Sequence, residues 1–216
     1  MKKGAIFDQD GLMFDTEAIY MEGWIAVAEE LGIVIPEGYF AGVRGASGEN
    51  LIKAVNRFLP DVDAKDYIDR VFDYAHTAQD TRLPEKPGLH EILSFFKSNG
   101  VKMAVASSTK RSRVEKNLKK SGIDQYFEVL VTGDEVTEGK PDPEIFLTAA
   151  AKIGLDPTDC YVFEDSYNGV RAGHRAGCCT VMVPDLIGPD EEMLQTADLC
   201  CKDLLEVVDS IKTGKI

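Results

Sequence analysis

Two hydrophobic patterns follow one another along the first part of the chain. A short apolar run ends at Phe7 and predicts a buried strand. From residue 17 to about residue 80, hydrophobic residues recur at helical spacing with no convincing strand among them, which predicts a separate helical unit. The helices predicted in this unit include Ala18–Leu31, Gly48–Phe58 and Ala64–Gln79.

From Pro87 onward, helical patterns alternate with short apolar runs. The predicted strands are Val101–Ala106, Phe127–Val131, Cys160–Phe163 and Cys179–Val183. The predicted helices are Leu89–Lys97, Lys110–Lys120, Pro143–Ile153, Asn168–Ala176 and Leu204–Ile211. Strict alternation is typical of a parallel sheet that helices cover on both faces. We therefore predict an α/β fold in which residues 1–15 and 85–216 form a Rossmann-like parallel sheet core and residues 16–84 form a small inserted helical domain.

Charge and composition exclude several classes of partner. The chain has 24 Lys and Arg against 37 Asp and Glu, and its formal net charge of -13 repels nucleic acid and anionic lipid. No run approaches the roughly 18 apolar residues of a membrane span, and the N-terminal segment lacks a signal-peptide pattern. We expect a cytoplasmic monomer that binds neither nucleic acid nor a membrane. Its five cysteines are expected to be reduced thiols, with a zinc site as the alternative.

Polar residues follow the predicted strands at the edge where open α/β sheets bind ligands. These residues are Asp8 with Asp10, Ser107 to Thr109, Asp134 with Lys140, and Glu164 with Asp165. Carboxylate oxygens suit Mg²⁺, a lysine supplies a positive charge for phosphate, and a hydroxyl adds a hydrogen-bond donor. The combination predicts a site for phosphoryl transfer, in which positioning and electrostatics do most of the catalysis.

Each of these residues also has a purely structural interpretation. Asp165 could cap the helix that begins near Ser166, and Ser107 to Thr109 could cap the helix that follows them. Lys140 could be a solvated loop charge. Any one of these interpretations is reasonable by itself, but polar chemistry at four adjacent strand ends favours a shared site.

Four motifs occur in order along the chain: AIFDQDG followed by FDTE, then AVASS, GKPDPEIF and YVFEDSYNGVRAG. On these motifs the chain resembles, from end to end, the haloacid dehalogenase superfamily of phosphotransferases. Within it, the chain resembles the helical-cap group that includes β-phosphoglucomutase and small sugar-phosphate phosphatases. Gln9 stands where this group often has Met or Leu. Strand alternation predicts that the side chain of Gln9 points away from Asp8 and Asp10.

The resemblance implies a Mg²⁺-dependent phosphatase that hydrolyses a small phosphorylated metabolite, a sugar phosphate, through an aspartyl-phosphate. Asp8 would be the nucleophile. Asp10 would protonate the leaving oxygen and later activate water. The metal would be held by Asp8, the backbone carbonyl of Asp10, and Asp165.

The resemblance also implies how the phosphate is bound. Ser107, Ser108 and Lys140 would hold the phosphoryl oxygens, with Glu164 in a supporting position. The helical unit, 16–84, would be a cap that closes over the site and reads the leaving group of the substrate.

Two rival functions remain open. One is β-phosphoglucomutase; the other is a catalytically idle family member that serves as a binding or regulatory module. The mutases of this group are expected to have a histidine shortly after the first motif and an arginine after the glycine-containing cap loop. This chain has Tyr20 at the first place and no arginine in residues 45–49, although Arg44 precedes them. Tyr20 and Trp24 could stack on a sugar, but packing within the helical unit is the interpretation we favour.

Overall fold

Six parallel strands form one sheet in the order β3-β2-β1-β4-β5-β6 in the computed structural model. The structure describes residues 1–43, 46 and 48–216. The chain divides into two units, of which the first comprises 1–15 and 85–216 and contains the sheet, and the second comprises 16–84. The strands are β1 Gly4–Phe7, β2 Lys102–Ser107, β3 Val129–Thr132, β4 Cys160–Glu164, β5 Cys179–Met182 and β6 Leu199–Cys200.

Helices make up the second unit and connect the strands of the first. In the second unit they are α1 Thr16–Leu31, α2 Tyr39–Val43, α3 Gly48–Phe58 and α4 Ala64–Thr81. In the first unit they are α5 Leu89–Ser98, α6 Arg111–Lys120, α7 Glu144–Lys152, α8 Tyr167–Arg175, α9 Glu191–Thr196 and α10 Leu204–Lys212. Among the described residues, none of the helices combines the length and the apolar character that a membrane span requires.

Successive side chains of β1 pack on opposite faces of the sheet, as the pleat of a strand requires. Ile6 lies in a buried cluster with Phe146 of α7 and Ala172 of α8. The ring of Phe7 contacts the ring of Phe96 in α5, with 6.1 Å between centroids. Each buried side chain of this size stabilises the fold by about 1.5 to 3 kcal/mol. The sheet is therefore covered on both faces, and the predicted α/β class is confirmed.

The register of the sheet brings the ends of its central strands to one edge. Phe7 of β1 is level with Val105 of β2 and with Phe163 of β4. The backbone N–H of Asp8 donates to the carbonyl of Phe163 at 3.0 Å, which extends the pairing by one residue. The residues that follow these strands therefore leave the sheet side by side.

Aromatic packing organises the second unit. The ring of Trp24 is buried, with its centroid 5.7 Å from that of Tyr39 and 5.2 Å from that of Tyr67. The hydroxyl of Tyr67 donates to the carbonyl of Trp24 at 2.8 Å. Tyr20 lies edge-on to Phe72, with 5.5 Å between centroids. The packing interpretation of Trp24 is therefore confirmed, and Tyr20 also packs within its own unit.

Two short α-helices and one short strand in the described residues were not predicted from the sequence. They are α2, α9 and β6, which have five, six and two residues. A segment of this length is too short to display a helical or strand period. The longer helices were predicted, but their ends differ by a few residues; α4, for example, continues to Thr81. The N-terminus of α4 is capped by Asp63, whose carboxylate accepts from the N–H groups of Lys65 and Asp66.

Candidate active site

Lys140 lies between two buried carboxylates at the edge of the sheet. Its Nζ is 2.5 Å from Oδ1 of Asp8 and 2.5 Å from Oε1 of Glu164. It also donates to the carbonyl of Ala106 at 3.1 Å. Only 7% of the Lys140 side chain is exposed. The interpretation of Lys140 as a solvated loop charge is therefore wrong.

The electrostatics of this contact are dominated by burial. Burial raises the pKa of Asp8 to about 8; the positive charge of Lys140 opposes the rise, and the negative charges of Glu164 and Asp10 add to it. Burial by itself would lower the pKa of Lys140, but attraction to Asp8 and Glu164 raises it. Lys140 contacts two of these carboxylates at once, so this edge of the sheet favours an added positive charge.

Glu164 is fixed by hydrogen bonds to both of its carboxylate oxygens. Oε1 accepts from Lys140, and Oε2 accepts from Asp165 N at 3.1 Å and from Ser166 N and Oγ at 3.1 and 2.9 Å. A Cβ atom at Gly169 would stand 1.8 Å from Cδ of Glu164, so a side chain at position 169 would displace the carboxylate. The absence of a side chain at Gly169 thus allows Glu164 to hold Lys140.

Glu144 at the start of α7 fixes the loop that leads to Lys140. Its carboxylate accepts from the N–H groups of Thr137, at 3.0 Å, and Glu138, at 2.8 Å. These two hydrogen bonds, that from Glu138 first, lower the pKa of Glu144. After Lys140 in the chain, the carbonyl of Pro141 accepts a hydrogen bond from Arg175 at 3.1 Å. Glu144 was not among the predicted site residues; the signal in the sequence was an acidic residue in the first turn of a predicted helix.

Three carboxylates could share a metal ion. Asp8, Glu164 and Asp165 each offer an oxygen atom, and these atoms lie within 4.8 Å of one another. A Cβ atom at Gly11 would stand 2.3 Å from Oδ2 of Asp165, so this carboxylate lies directly against the backbone next to Asp10. Hard oxygen donors in an acidic, buried cluster fit Mg²⁺. The predicted contribution of Asp10 is its backbone carbonyl rather than its side chain.

The two helix-capping interpretations are wrong. The N-terminus of α8 is capped by Ser166, whose Oγ accepts from Gly169 N at 3.1 Å, and not by Asp165. At the start of α6, the N–H of Arg111 donates to Oδ1 of Asp134 at 3.2 Å rather than to a hydroxyl of residues 107–109. Asp165 and the segment after β2 are therefore not explained by capping.

The hydroxyl groups of Ser107, at the end of β2, and of Thr109, just after it, are directed at Asp10. Thr109 Oγ1 donates to Oδ2 of Asp10 at 2.8 Å, and Ser107 Oγ donates to the same oxygen at 3.5 Å. Ser107 Oγ in turn accepts from Thr109 N at 3.1 Å. Ser107 is buried, whereas Ser108 is exposed.

The expectation that Gln9 points away from Asp10 is wrong. Nε2 of Gln9 donates to Oδ2 of Asp10 at 3.3 Å. The alternation on which the expectation rested ends with β1 at Phe7. Beyond it the chain turns, and the carbonyl of Gln9 accepts from the N–H groups of Met13 and Phe14 at 2.9 and 3.2 Å.

Residues 44, 45 and 47 bear on the mutase alternative, because this is where an arginine would be expected. Arg44, Gly45 and Ser47 lie outside the described residues.

Known proteins resemble this chain over most of its length. The chain is 35% identical to the phosphorylated carbohydrates phosphatase of Thermotoga maritima over 176 residues, which are 81% of this chain and 82% of that protein. It is 29% identical to the beta-phosphoglucomutase of Bacillus subtilis over 215 residues, with 94% of each chain covered. The crystal structure of beta-phosphoglucomutase from Clostridium difficile has the same fold, with a TM-score of 0.80 at 24% identity, covering 100% of this chain and 97% of that one.

The family of this protein is established by a sequence model that matches most of the chain. A sequence model of the haloacid dehalogenase-like hydrolases matches residues 5–183, a range that includes every predicted site residue. The resemblance noted on the four motifs is thereby confirmed, and the names of the relatives support the prediction of a phosphoric monoester hydrolase. This chain belongs to the haloacid dehalogenase-like hydrolase family.

Proposed function

We propose that this protein is a Mg²⁺-dependent phosphatase that hydrolyses a sugar phosphate or a similar small phosphorylated metabolite through an aspartyl-phosphate on Asp8. The observation that carries the proposal is the buried contact of 2.5 Å between Asp8 and Lys140 at the end of β1. In its ionised form, Asp8 can act as a nucleophile in this position. The charge of Lys140 offsets the repulsion between that carboxylate and a phosphate.

In the first step, a carboxylate oxygen of Asp8 attacks the phosphorus atom and forms a new P–O bond. The ester bond between phosphorus and the leaving oxygen breaks, and its electron pair stays on that oxygen. Asp10 gives its proton to the leaving oxygen, because an alkoxide is a poor leaving group. The products of this step are the free alcohol and the aspartyl-phosphate.

In the second step, a water molecule attacks the phosphorus atom of the aspartyl-phosphate. Asp10, now ionised, takes a proton from the water. The bond between phosphorus and the Asp8 oxygen breaks, and inorganic phosphate and the Asp8 carboxylate are released. Asp10 thus serves as the acid in one step and as the base in the other.

The remaining residues bind and orient. Ser107, Ser108 and Lys140 are proposed to hold the phosphoryl oxygens, and Glu164 to position Lys140. Asp8 and Asp165 would hold Mg²⁺ with the backbone carbonyl of Asp10. When bound, the ion would offset the charge that accumulates on the phosphoryl oxygens.

The proposed substrate class is based on the substrates for which related proteins are named. The Thermotoga maritima relative is named for phosphorylated carbohydrates, and further relatives are named hexitol phosphatase and validoxylamine A 7'-phosphate phosphatase. We therefore propose a phosphorylated carbohydrate for this protein, and we assign the helical unit, 16–84, the role of a substrate-reading cap.

The alternative function is that of the beta-phosphoglucomutase relative. Incubation with β-glucose 1-phosphate and Mg²⁺, with and without a bisphosphate activator, separates the two. A phosphatase releases inorganic phosphate from sugar phosphates and forms little glucose 6-phosphate. Efficient isomerisation that depends on the activator would overturn the proposal in favour of the mutase. A folded protein that does neither would indicate the idle binding module, although the retention of Asp8, Lys140 and Asp165 argues against that function.

A further inference from the structure

Gln9 is a buried polar residue whose presence packing does not explain. Its side chain is 0% exposed, and the described residues provide no hydrogen-bond partner for its Oε1 atom. A buried amide oxygen without a partner destabilises a fold, and an apolar side chain of similar size would avoid that cost. The other end of the amide is engaged, because Nε2 donates to Oδ2 of Asp10. This orientation pairs the donor end of the amide with the ionised form of Asp10, because an ionised carboxylate accepts hydrogen bonds and cannot donate them.

Three donors converge on the same oxygen atom of Asp10. They are Thr109 Oγ1 at 2.8 Å, Gln9 Nε2 at 3.3 Å and Ser107 Oγ at 3.5 Å. A carboxylate rotates readily about its terminal torsion, which has broad minima. Donors from two different segments, one before the turn at Gly11 and one at the end of β2 and just beyond it, restrict that rotation more than either segment would alone.

We infer that Gln9 is a positioning residue that, together with Thr109, fixes the rotation of the Asp10 carboxylate for proton transfer to and from the reacting oxygen atoms. The inference rests on the proposed function, in which Asp10 acts in both steps. Gln9 touches no reacting atom in this account and acts only through Asp10. The residue between the two aspartates therefore contributes to the rate through its side chain.

The variant Gln9→Met removes the amide and keeps a flexible side chain of similar volume, so the fold should tolerate it. We measure hydrolysis of 4-nitrophenyl phosphate in excess Mg²⁺. We expect kcat to fall about tenfold and KM to change less than about twofold. The reason is that breakdown of the aspartyl-phosphate depends on Asp10. Thr109→Val should act in the same direction, and Thr109→Ser should retain most of the rate. Thr180→Val is the matched control, because it removes a buried hydroxyl, bonded to the carbonyl of Cys178, from a strand outside the site.

A double-mutant cycle separates positioning from a general structural effect. In the Asp10→Asn background, Gln9→Met should change the remaining kcat by less than about twofold, because the group that Gln9 positions is gone. An equal loss in both backgrounds, or no loss in the wild-type background, would overturn the inference while leaving the phosphatase intact. If the folded wild-type protein released phosphate from neither 4-nitrophenyl phosphate nor a sugar phosphate, the proposed function would fail, and this inference with it.

Discussion

Nζ of Lys140 lies 2.5 Å from Oδ1 of Asp8, although the two residues are 132 positions apart in the chain. The contact joins the loop before α7 to the end of β1 and is shielded from solvent on both sides, with 7% and 8% of the two side chains exposed. An ion pair in such surroundings is costly to break, because the remaining charge is left buried.

Lys140→Met should lower both stability and activity. Two buried carboxylates, Asp8 and Glu164, lose their shared counter-ion, so we expect the free energy of unfolding without Mg²⁺ to fall by about 3 kcal/mol. Phosphatase activity should fall at least about a hundredfold, because the positive charge beside the phosphate is lost. Urea denaturation and steady-state kinetics measure the two effects.

Lys152→Met is the control for that variant. Lys152 lies 3.4 Å from Glu135, and its side chain is 44% exposed. We expect a change of less than about 1 kcal/mol and unchanged activity. Equal losses of stability for the two lysine variants would contradict the view that burial gives Lys140 its importance.

Gly169→Ala should displace Glu164. The new methyl group would stand 1.8 Å from Cδ of Glu164, and the carboxylate could then no longer hold Lys140 in place. We expect destabilisation by about 1 to 3 kcal/mol, and a fall in kcat of more than about tenfold. Gly188→Ala, where an added Cβ would meet no atom within 4 Å, should change neither quantity. Retention of full activity by Gly169→Ala would show that Glu164 can move without consequence.

Much of this arrangement could be predicted from the sequence. The apolar run that ends at Phe7 and the alternation after Pro87 predicted a parallel sheet, and parallel strands end at one edge. For that reason Asp8, Lys140 and Asp165 were expected to lie close together, as they do in the structure. The pattern of the longer helices was equally clear, because each shows several turns of one period.

Other parts of the site could not be predicted, because they depend on turns and loop contacts that leave no periodic pattern in the sequence. The direction of Gln9 follows from a turn after Phe7, which strand alternation could not anticipate. The hold of Glu144 on residues 137–138 requires the tertiary placement of a loop against the start of α7. The roles of the site residues in catalysis stay predictions.

Removal of the metal should abolish activity, and loss of one proposed ligand should raise the metal requirement. We expect excess EDTA to stop phosphate release and Mg²⁺ to restore it. Asp165→Asn should raise the Mg²⁺ concentration for half-maximal activity by at least about tenfold, because one anionic ligand of a hard ion is lost. Asp156→Asn, which alters an exposed carboxylate that accepts from Thr158 N, should leave that concentration unchanged. Wild-type activity that survives EDTA would contradict the metal site.

The loop before Lys140 should lose hydrogen-exchange protection as the pH falls below the ordinary pKa of Glu144. The pKa of Glu144 is held below its ordinary value of 4.5 by the N–H groups of Glu138 and Thr137. A group whose pKa is lowered on folding contributes stability above its unfolded pKa, and this stability is lost as the pH falls through the lower, folded pKa. Hydrogen-exchange protection of the two amides, corrected for intrinsic rates, should therefore persist from neutral pH to 4.5 and decline below it.

Glu144→Gln provides the comparison, since an amide oxygen accepts more weakly than a carboxylate and does not titrate in this range. Protection of the two amides should be lower in this variant at every pH and show no acid transition. The same acid transition in both proteins would assign it to another group.

Asp8 is proposed to carry the phosphoryl group, and chemical trapping of the intermediate identifies the residue that bears this group. The wild-type protein is mixed with Mg²⁺ and a sugar phosphate, quenched within the first turnover and reduced with borohydride, which converts an aspartyl-phosphate to homoserine. We expect homoserine at position 8, more of it in Asp10→Asn treated with 4-nitrophenyl phosphate, and neither homoserine nor activity in Asp8→Asn. Turnover by a folded Asp8→Asn protein at near the wild-type rate, with residue 8 of the wild-type protein unmodified during turnover, would contradict this role of Asp8.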